Sequence, residues 1–199
     1  MADAGTARER GKADRTAALL DAATTLFAQR GFAGVSLEQL GAAVGVSGPA
    51  VYRHFANKQA VLAAVLHRAS SMLLAGGQRV VATGDALDEQ LRMLVAFHVD
   101  FALASTDVIR MQDRDLSSLT SDARHEVRRI QREYVELWVT VLRGLHPEES
   151  AARLRVRAHA GFGLMNSTPH SARGAGVAAA TTEMRGILES LALAALRSR

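Results

Sequence analysis

The chain has no cysteine, which excludes a disulfide framework and any thiolate metal site. Proline occurs three times, at 49, 147 and 169, so few positions break a helix outright. Aromatic residues make up 5% of the chain, with Trp138 the only tryptophan, while apolar residues reach 48%. That balance suits Leu- and Ala-rich helices better than sheet. Lysine is confined to Lys12 and Lys58; the other basic residues are arginine. No run approaches the roughly 20 apolar residues that span a bilayer, and Met1–Arg15 lacks a signal peptide's apolar stretch. The expected compartment is the cytoplasm, with no membrane partner. Among the seven histidines there is no His-Glu-x-x-His, and neither a nucleophile motif nor a Gly-x-x-x-x-Gly-Lys loop occurs. Asp113-Arg114-Asp115 reads as a helix-end charge cluster. The expectation is a protein that is not an enzyme, with no metal and no cofactor.

The formal charge is +4 over 199 residues, and it is uneven. Residues 1–68 carry eight Lys and Arg against five Asp and Glu; residues 69–199 carry sixteen against fifteen. The excess sits on the stretch that holds the most informative segment, Val35 to Lys58. There Ser36 and Gln39 form a capping-box pair, so a helix begins at Leu37. Leu37, Leu40 and Val44 share one face of it. Gly45 supplies the positive φ of a tight turn, with Val46 plugging the turn into the core. Ser47 caps a second helix whose first turn, Gly48-Pro49-Ala50, is small. Two short helices about a Gly-containing turn form a helix-turn-helix, whose second helix enters the DNA major groove. Arg53 suits a bidentate guanine contact or a phosphate. Tyr52 and His54 suit backbone contacts, Ser36 and Lys58 suit phosphate clamps on either side, and Val51 and Phe55 face inward. The capping amides of the second helix favour a phosphate.

From Arg15 to Val65 the chain resembles the DNA-binding domain of the tetracycline-repressor (TetR) family of bacterial transcriptional regulators. The resemblance rests on Leu19-Leu20-Asp21-Ala22-Ala23, Leu26-Phe27, Arg30-Gly31-Phe32, Leu40, Gly45-Val46-Ser47, Tyr52-Arg53-His54-Phe55 and Lys58. Gly41 departs from it, standing where the family usually has Ala. The resemblance assigns DNA contact to Ser36, Ser47, Gly48, Pro49, Ala50, Tyr52, His54 and Lys58. It implies an all-α fold, a three-helix head on a larger helical body, and a ligand-released repressor.

The periodicity of the rest is helical throughout. Residues 1–14 read as a flexible basic arm, 15–74 as the DNA-binding head and 75–199 as the ligand-binding and dimerisation body. Helices are expected near 14–30, from Asn57 past Leu73, at 86–104, 107–116, 122–144 after a Ser121 cap, from Pro147 to about Ser167, and at 177–197. Ala75-Gly76-Gly77 and Thr83-Gly84 read as breakers, and Pro169–Gly176 as a loop. The family's middle helices enclose an effector cavity, so Met93, Phe97, Phe101, Met111, Trp138, Phe162 and Met165 either line one or are plain core. Asn166, with His98, Gln112, Arg124 and His170, offers polar contacts for a head group. Arg124, Arg128, Arg129 and Arg132 are a solvated face or a site for an anionic ligand such as an acyl-coenzyme A. The expected effector is small and apolar or amphipathic. The homodimer is expected through the last two helices, by Leu154, Ala158, Gly161 and Met165 on one and Ile187, Leu188, Leu191, Ala192 and Ala195 on the other. The alternative is a helical small-molecule-binding or interaction protein that does not bind DNA.

Overall fold

The structure, a computed structural model, describes residues 3–168 and 179–198. The helices are α1 (Asp3–Arg30), α2 (Leu37–Ala43), α3 (Gly48–Val51), α4 (Lys58–Val81), α5 (Leu87–Ala104), α6 (Thr106–Asp115), a 3₁₀ turn at Leu116–Ser118, α7 (Ser121–Leu145), α8 (Ala151–Met165) and α9 (Ala179–Arg197). No strand occurs among the described residues, so the all-α expectation holds. The Pro169–Gly176 loop and His170 lie outside the described residues.

The chain divides into two compact units. One is the chain up to Arg68 together with Arg110–Glu126; the other is Ala69–Ile109 with the chain from Val127 onward. The first unit is discontinuous in sequence. Its segment 110–126 is held by Arg114, whose guanidinium donates to the main-chain oxygen of Phe27 at 2.6 Å.

The head's core is built from Leu19, Leu20, Ala23 and Phe27 of α1, Leu37 and Leu40 of α2, Val51 of α3, and Val61, Leu62, Val65 and Leu66 of α4, all buried. The expected flexible arm at 1–14 is instead the first part of α1, which starts at Asp3. Ala4, Ala7, Arg8, Glu9, Arg10, Lys12 and Ala13 are strong helix formers and no proline interrupts them. Gly31 closes the helix at φ +77°.

In the body, a continuous core joins Leu91, Leu94, Val95 and Val99 of α5, Tyr134, Val135, Trp138 and Leu142 of α7, Leu154, Ala158 and Met165 of α8, and Leu188, Ala192 and Leu196 of α9. Gly76 and Gly77 do not break α4. Both are buried within it, and a Cβ at Gly76 would lie 2.0 Å from the Phe97 ring and one at Gly77 2.8 Å from the Tyr134 ring. The two glycines let those rings meet the α4 backbone. The cap of α7 is Thr120 rather than Ser121, accepting from Ala123 N–H at 3.4 Å through its hydroxyl and from Arg124 N–H at 2.9 Å through its carbonyl. Pro147–Glu149 form a turn, and α8 starts after Ser150, whose hydroxyl caps it by accepting from Arg153 N–H at 3.4 Å.

Candidate nucleic-acid interface and interior ring cluster

The turn between α2 and α3 forms as its residues dictate. Ser36 accepts from Gln39 N–H and Gln39 Oε1 from Ser36 N–H at 2.9 Å, a complete capping box. Gly45 sits at φ +71°. Gly41, standing where the family usually has Ala, has a positive role: a Cβ there would lie 2.8 Å from Val46 O and 3.0 Å from Val51 Cγ2. Its absence lets α2 and α3 approach closely. Asn57 caps α4, its Oδ1 accepting from Ala60 N–H at 2.8 Å.

Ser47, Pro49, Tyr52 and Arg53 are exposed and Gly48 half-buried. Tyr52 stands 54% exposed, a large apolar ring held out in water. Ser47 occupies the cap position of α3 without a side-chain capping bond, so its hydroxyl is unspent. Ala50 is buried, because a four-residue helix turns Ala50 and Val51 toward the core.

Lys58 opens α4 with its ammonium 3.4 Å from Ala33 O and 4.5 Å from the centroid of the Phe32 ring. The Ser36 hydroxyl is shared with Glu38, whose carboxyl it holds below the usual range. Ser36, Glu38, Tyr52, Asn57 and Lys58 line one groove of about 590 Å³. His54 meets Thr16, its Nδ1 3.0 Å from Thr16 Oγ1. Thr16 gives its own hydrogen to Lys12 O at 3.0 Å, so Nδ1–H is the donor between them and Nε2 carries the lone pair. Burial, then Lys12, Arg15 and Arg53, lower the His54 pKa. Near neutral pH His54 therefore offers an acceptor to its surroundings. A phosphate contact at Nε2 requires it to be protonated. Thr16 was not singled out in the sequence, since its role depends on α1 passing beside α3.

In the body, Trp138, Phe162, Phe101 and Asn166 converge on His98. The His98 ring lies nearly parallel to Phe162 and Tyr134, at centroid distances of 4.9 and 5.8 Å, with Trp138 edge-on at 6.0 Å. Phe101 follows at 6.2 Å. His98 Nε2–H donates to Asn166 Oδ1 at 3.2 Å, and the Tyr134 hydroxyl donates to Nδ1 at 3.1 Å. Burial pushes the His98 pKa down to about 4, opposed by Asn166, and raises that of Tyr134. Both are neutral near pH 7. Met165 lies in the adjoining core, Phe97 packs on Gly76, and Met93 is half-buried. Met111 is buried and belongs to the head unit. Tyr134 was not among the candidate ligand residues, although its spacing from Trp138 on α7 places both on one helix face.

Of the residues expected at a dimer face, most pack inside the chain. Leu154, Ala158, Gly161 and Met165 of α8, and Leu188 and Ala192 of α9, are buried within the chain; a Cβ at Gly161 would lie 3.1 Å from Leu196. The outward faces carry Val156 (69% exposed) on α8 and Ile187 and Leu191 (51% and 52%) on α9, flanked by exposed Ala152, Ala160, Gly163 and Ala195. Both helices are small and apolar on two sides, so composition alone did not choose between them.

Two family models match. One, described as bacterial regulatory proteins of the tetR family, covers residues 19–65, and the other, a tetracyclin repressor-like C-terminal domain, covers residues 84–174. The HTH-type transcriptional repressor KstR2 of Rhodococcus jostii is 28% identical over 66% of this chain and 65% of its own length. The matched stretch thus spans just under two thirds of that relative. A TetR-family regulator from Bordetella parapertussis superimposes with a TM-score of 0.78 at 22% identity, covering 89% of this chain and 93% of that one. The ketosteroid transcriptional regulator KstR2 of Mycobacterium tuberculosis gives 0.74 at 18% identity, covering 90% and 93%.

Proposed function

The chain belongs to the TetR family of bacterial regulatory proteins, and from that premise we propose that it is a DNA-binding transcriptional regulator. In this reading it is a repressor that holds a palindromic operator as a homodimer and leaves it when an apolar or amphipathic effector occupies the body. The observation that carries the reading is Tyr52, 54% exposed at the end of a helix whose cap residue makes no side-chain capping bond, in one groove with Lys58, while Lys12, Arg15 and Arg53 act on the nearby His54. An exposed aromatic ring among cations is costly to a head with no partner and natural to one that meets a duplex.

Ser36, Ser47, Gly48, Pro49 and Lys58 hold phosphates or allow their close approach, Tyr52 sets register, and Arg53 pairs with a guanine, for about 1–3 kcal/mol of discrimination. His54 completes the surface through Nε2. Two heads are needed because one short helix reads too few base pairs, and the outer faces of α8 and α9 supply the apolar contact between subunits. Met93, Phe97, Phe101, Trp138, Phe162, Met165 and Asn166 form the effector region. One relative is named for ketosteroids. An anionic effector such as an acyl-coenzyme A calls instead on Arg128 and Arg132, exposed cations of α7. The place of action is the cytoplasm. Among the described residues one helix, α4, is long and apolar enough by composition to cross a membrane, with 44% of its apolar window buried. Its Val61, Leu62, Val65 and Leu66 are core residues, and His67 and Arg68 follow them, as in a core helix of a globular head.

Selection of bound fragments from random duplex DNA tests the proposal. The expected product is a palindrome whose half-sites are spaced by a helical turn or its multiple. Failure to retain duplex DNA of any sequence at low ionic strength sinks it.

A further inference from the structure

In the head, His54 follows α3 and is half-buried, with its Nδ1 3.0 Å from the Thr16 hydroxyl on α1. Thr16 has one hydrogen to give, and the main-chain oxygen of Lys12 takes it at 3.0 Å. The contact with the ring then needs Nδ1–H as its donor, which leaves Nε2 without a hydrogen in the neutral imidazole. A phosphate oxygen only accepts, so a neutral His54 held in this tautomer turns a lone pair toward it and gains no bond. Turning the Thr16 hydroxyl round would release the other tautomer, but at the loss of the Lys12 bond.

We propose that Thr16 is a positioning residue that holds His54 in its Nδ1–H tautomer, so that His54 bonds a DNA phosphate only as Nε2 takes a proton from water. This role rests on the DNA-binding reading above, and it makes operator affinity fall as pH rises. Burial first, then Lys12 and Arg15 from α1 and Arg53 beside the ring, hold the His54 pKa below its ordinary value in the free head. On the α4 side, Arg68 shares a groove with Lys12 and Thr16 and is paired with Asp21 at 2.6 Å. A phosphate at Nε2 brings the opposite charge and an acceptor, both of which favour the imidazolium, so the pKa rises in the complex. Between the free and the bound values the complex holds a proton that the free head lacks. Affinity therefore drops by up to about tenfold per pH unit for each head as pH climbs through that window. Outside it the dependence vanishes.

Isothermal titration calorimetry of the full-length chain with a mixed-sequence duplex of about 20 base pairs counts the protons, because phosphate contact is independent of sequence. Titrations are run at low salt and about pH 7 in buffers of different ionisation enthalpy. The slope of observed heat against buffer enthalpy is the number of protons taken up. The expected result is an uptake of several tenths of a proton per head or more, with affinity falling between about pH 6 and 8. Thr16→Val removes the acceptor at nearly constant shape and lets the ring carry its hydrogen on Nε2, so the duplex should bind with uptake near zero. Thr16→Ser keeps the hydroxyl and should restore the uptake, whereas a Thr16 that only packs gives the same uptake in every variant. Thr16→Ala, a better helix former, repeats the measurement if the valine variant does not fold. His54→Gln donates without a proton from water and should also abolish the uptake. Binding without uptake by the unaltered chain, or undiminished uptake in Thr16→Val or His54→Gln, overturns the proposal and leaves the DNA-binding reading standing. Failure to bind the duplex at any pH removes both.

Discussion

Arg114 grips the main-chain oxygen of Phe27 across 87 residues of sequence, at 2.6 Å, while its Nε and Nη2 fork onto the Asp115 carboxylate at 3.0 and 2.8 Å. The same Phe27 oxygen accepts from Gly31 N–H at 2.9 Å, so the guanidinium takes a second position on a carbonyl at the end of α1. A cation there also meets the negative end of the helix dipole. Asp115 is 6% exposed and depends on this partner. Arg114→Ala is expected to destabilise the head by about 1–3 kcal/mol, read from urea unfolding. Arg114→Lys should recover less than half, because one ammonium cannot fork onto the carboxylate and reach the carbonyl as well.

Lys58→Ala is expected to weaken operator binding about equally for matched and mismatched duplexes and to reduce the slope of log K against log salt by about 1. Tyr52→Phe should cost less than Tyr52→Ala, since it keeps the ring and removes only the hydroxyl. Titrations at several salt concentrations check both. An unchanged slope for Lys58→Ala would place its ammonium on Ala33 and Phe32 rather than on DNA.

Gly41→Ala pits helix propensity against space. Alanine favours a helix interior by about 0.5–1 kcal/mol, but its Cβ would stand 2.8 Å from Val46 O, and backbone cannot yield as a flexible side chain does. The expected outcome is a net loss of about 1 kcal/mol, seen as a lower unfolding midpoint with unaltered helix content.

His98 makes stability depend on pH. Its pKa lies near 6.5 in the unfolded chain and at about 4 in the folded one, so between these values the unfolded state takes up a proton that the folded state does not. The contribution is whole above pH 6.5 and is lost as pH falls toward 4, at no more than about 1.4 kcal/mol per pH unit and ~3 kcal/mol in all. Urea midpoints measured from pH 7.5 to 4.5 should fall accordingly, and His98→Gln should flatten that part of the curve.

Val156→Glu combined with Leu191→Glu places charges on two exposed sites, 69% and 52% open, so the subunit should stay folded. Light scattering should then report a particle near 21.2 kDa rather than twice that, and operator affinity should drop sharply. A double mutant that remains dimeric would move the interface elsewhere.

The head was largely legible in the sequence because its signals are local. Ser36 with Gln39, Gly45 at a positive φ and Asn57 each specify a structure within a few residues of themselves. What escaped depended on distant partners. Gly76 and Gly77 look like punctuation until Phe97 and Tyr134 are seen against them. Ala50 reads like its neighbours Gly48 and Pro49 until a four-residue helix turns it inward. Gly161 and Leu188 could as well have faced a second subunit as each other's helices. The N-terminal extension of α1 was missed for a different reason: charged and small residues without an apolar stripe suit a tail and a solvated helix equally.

The discontinuity of the head bears on how the protein is made. The first 68 residues leave the ribosome well before Arg110–Glu126, the segment that completes their unit. Until Arg114 arrives, the end of α1 lacks its clasp, so the nascent helix-turn-helix waits, incompletely braced, while α5 is synthesised. A gene fragment cut after α4 would therefore yield not a miniature operator binder but an unfinished one.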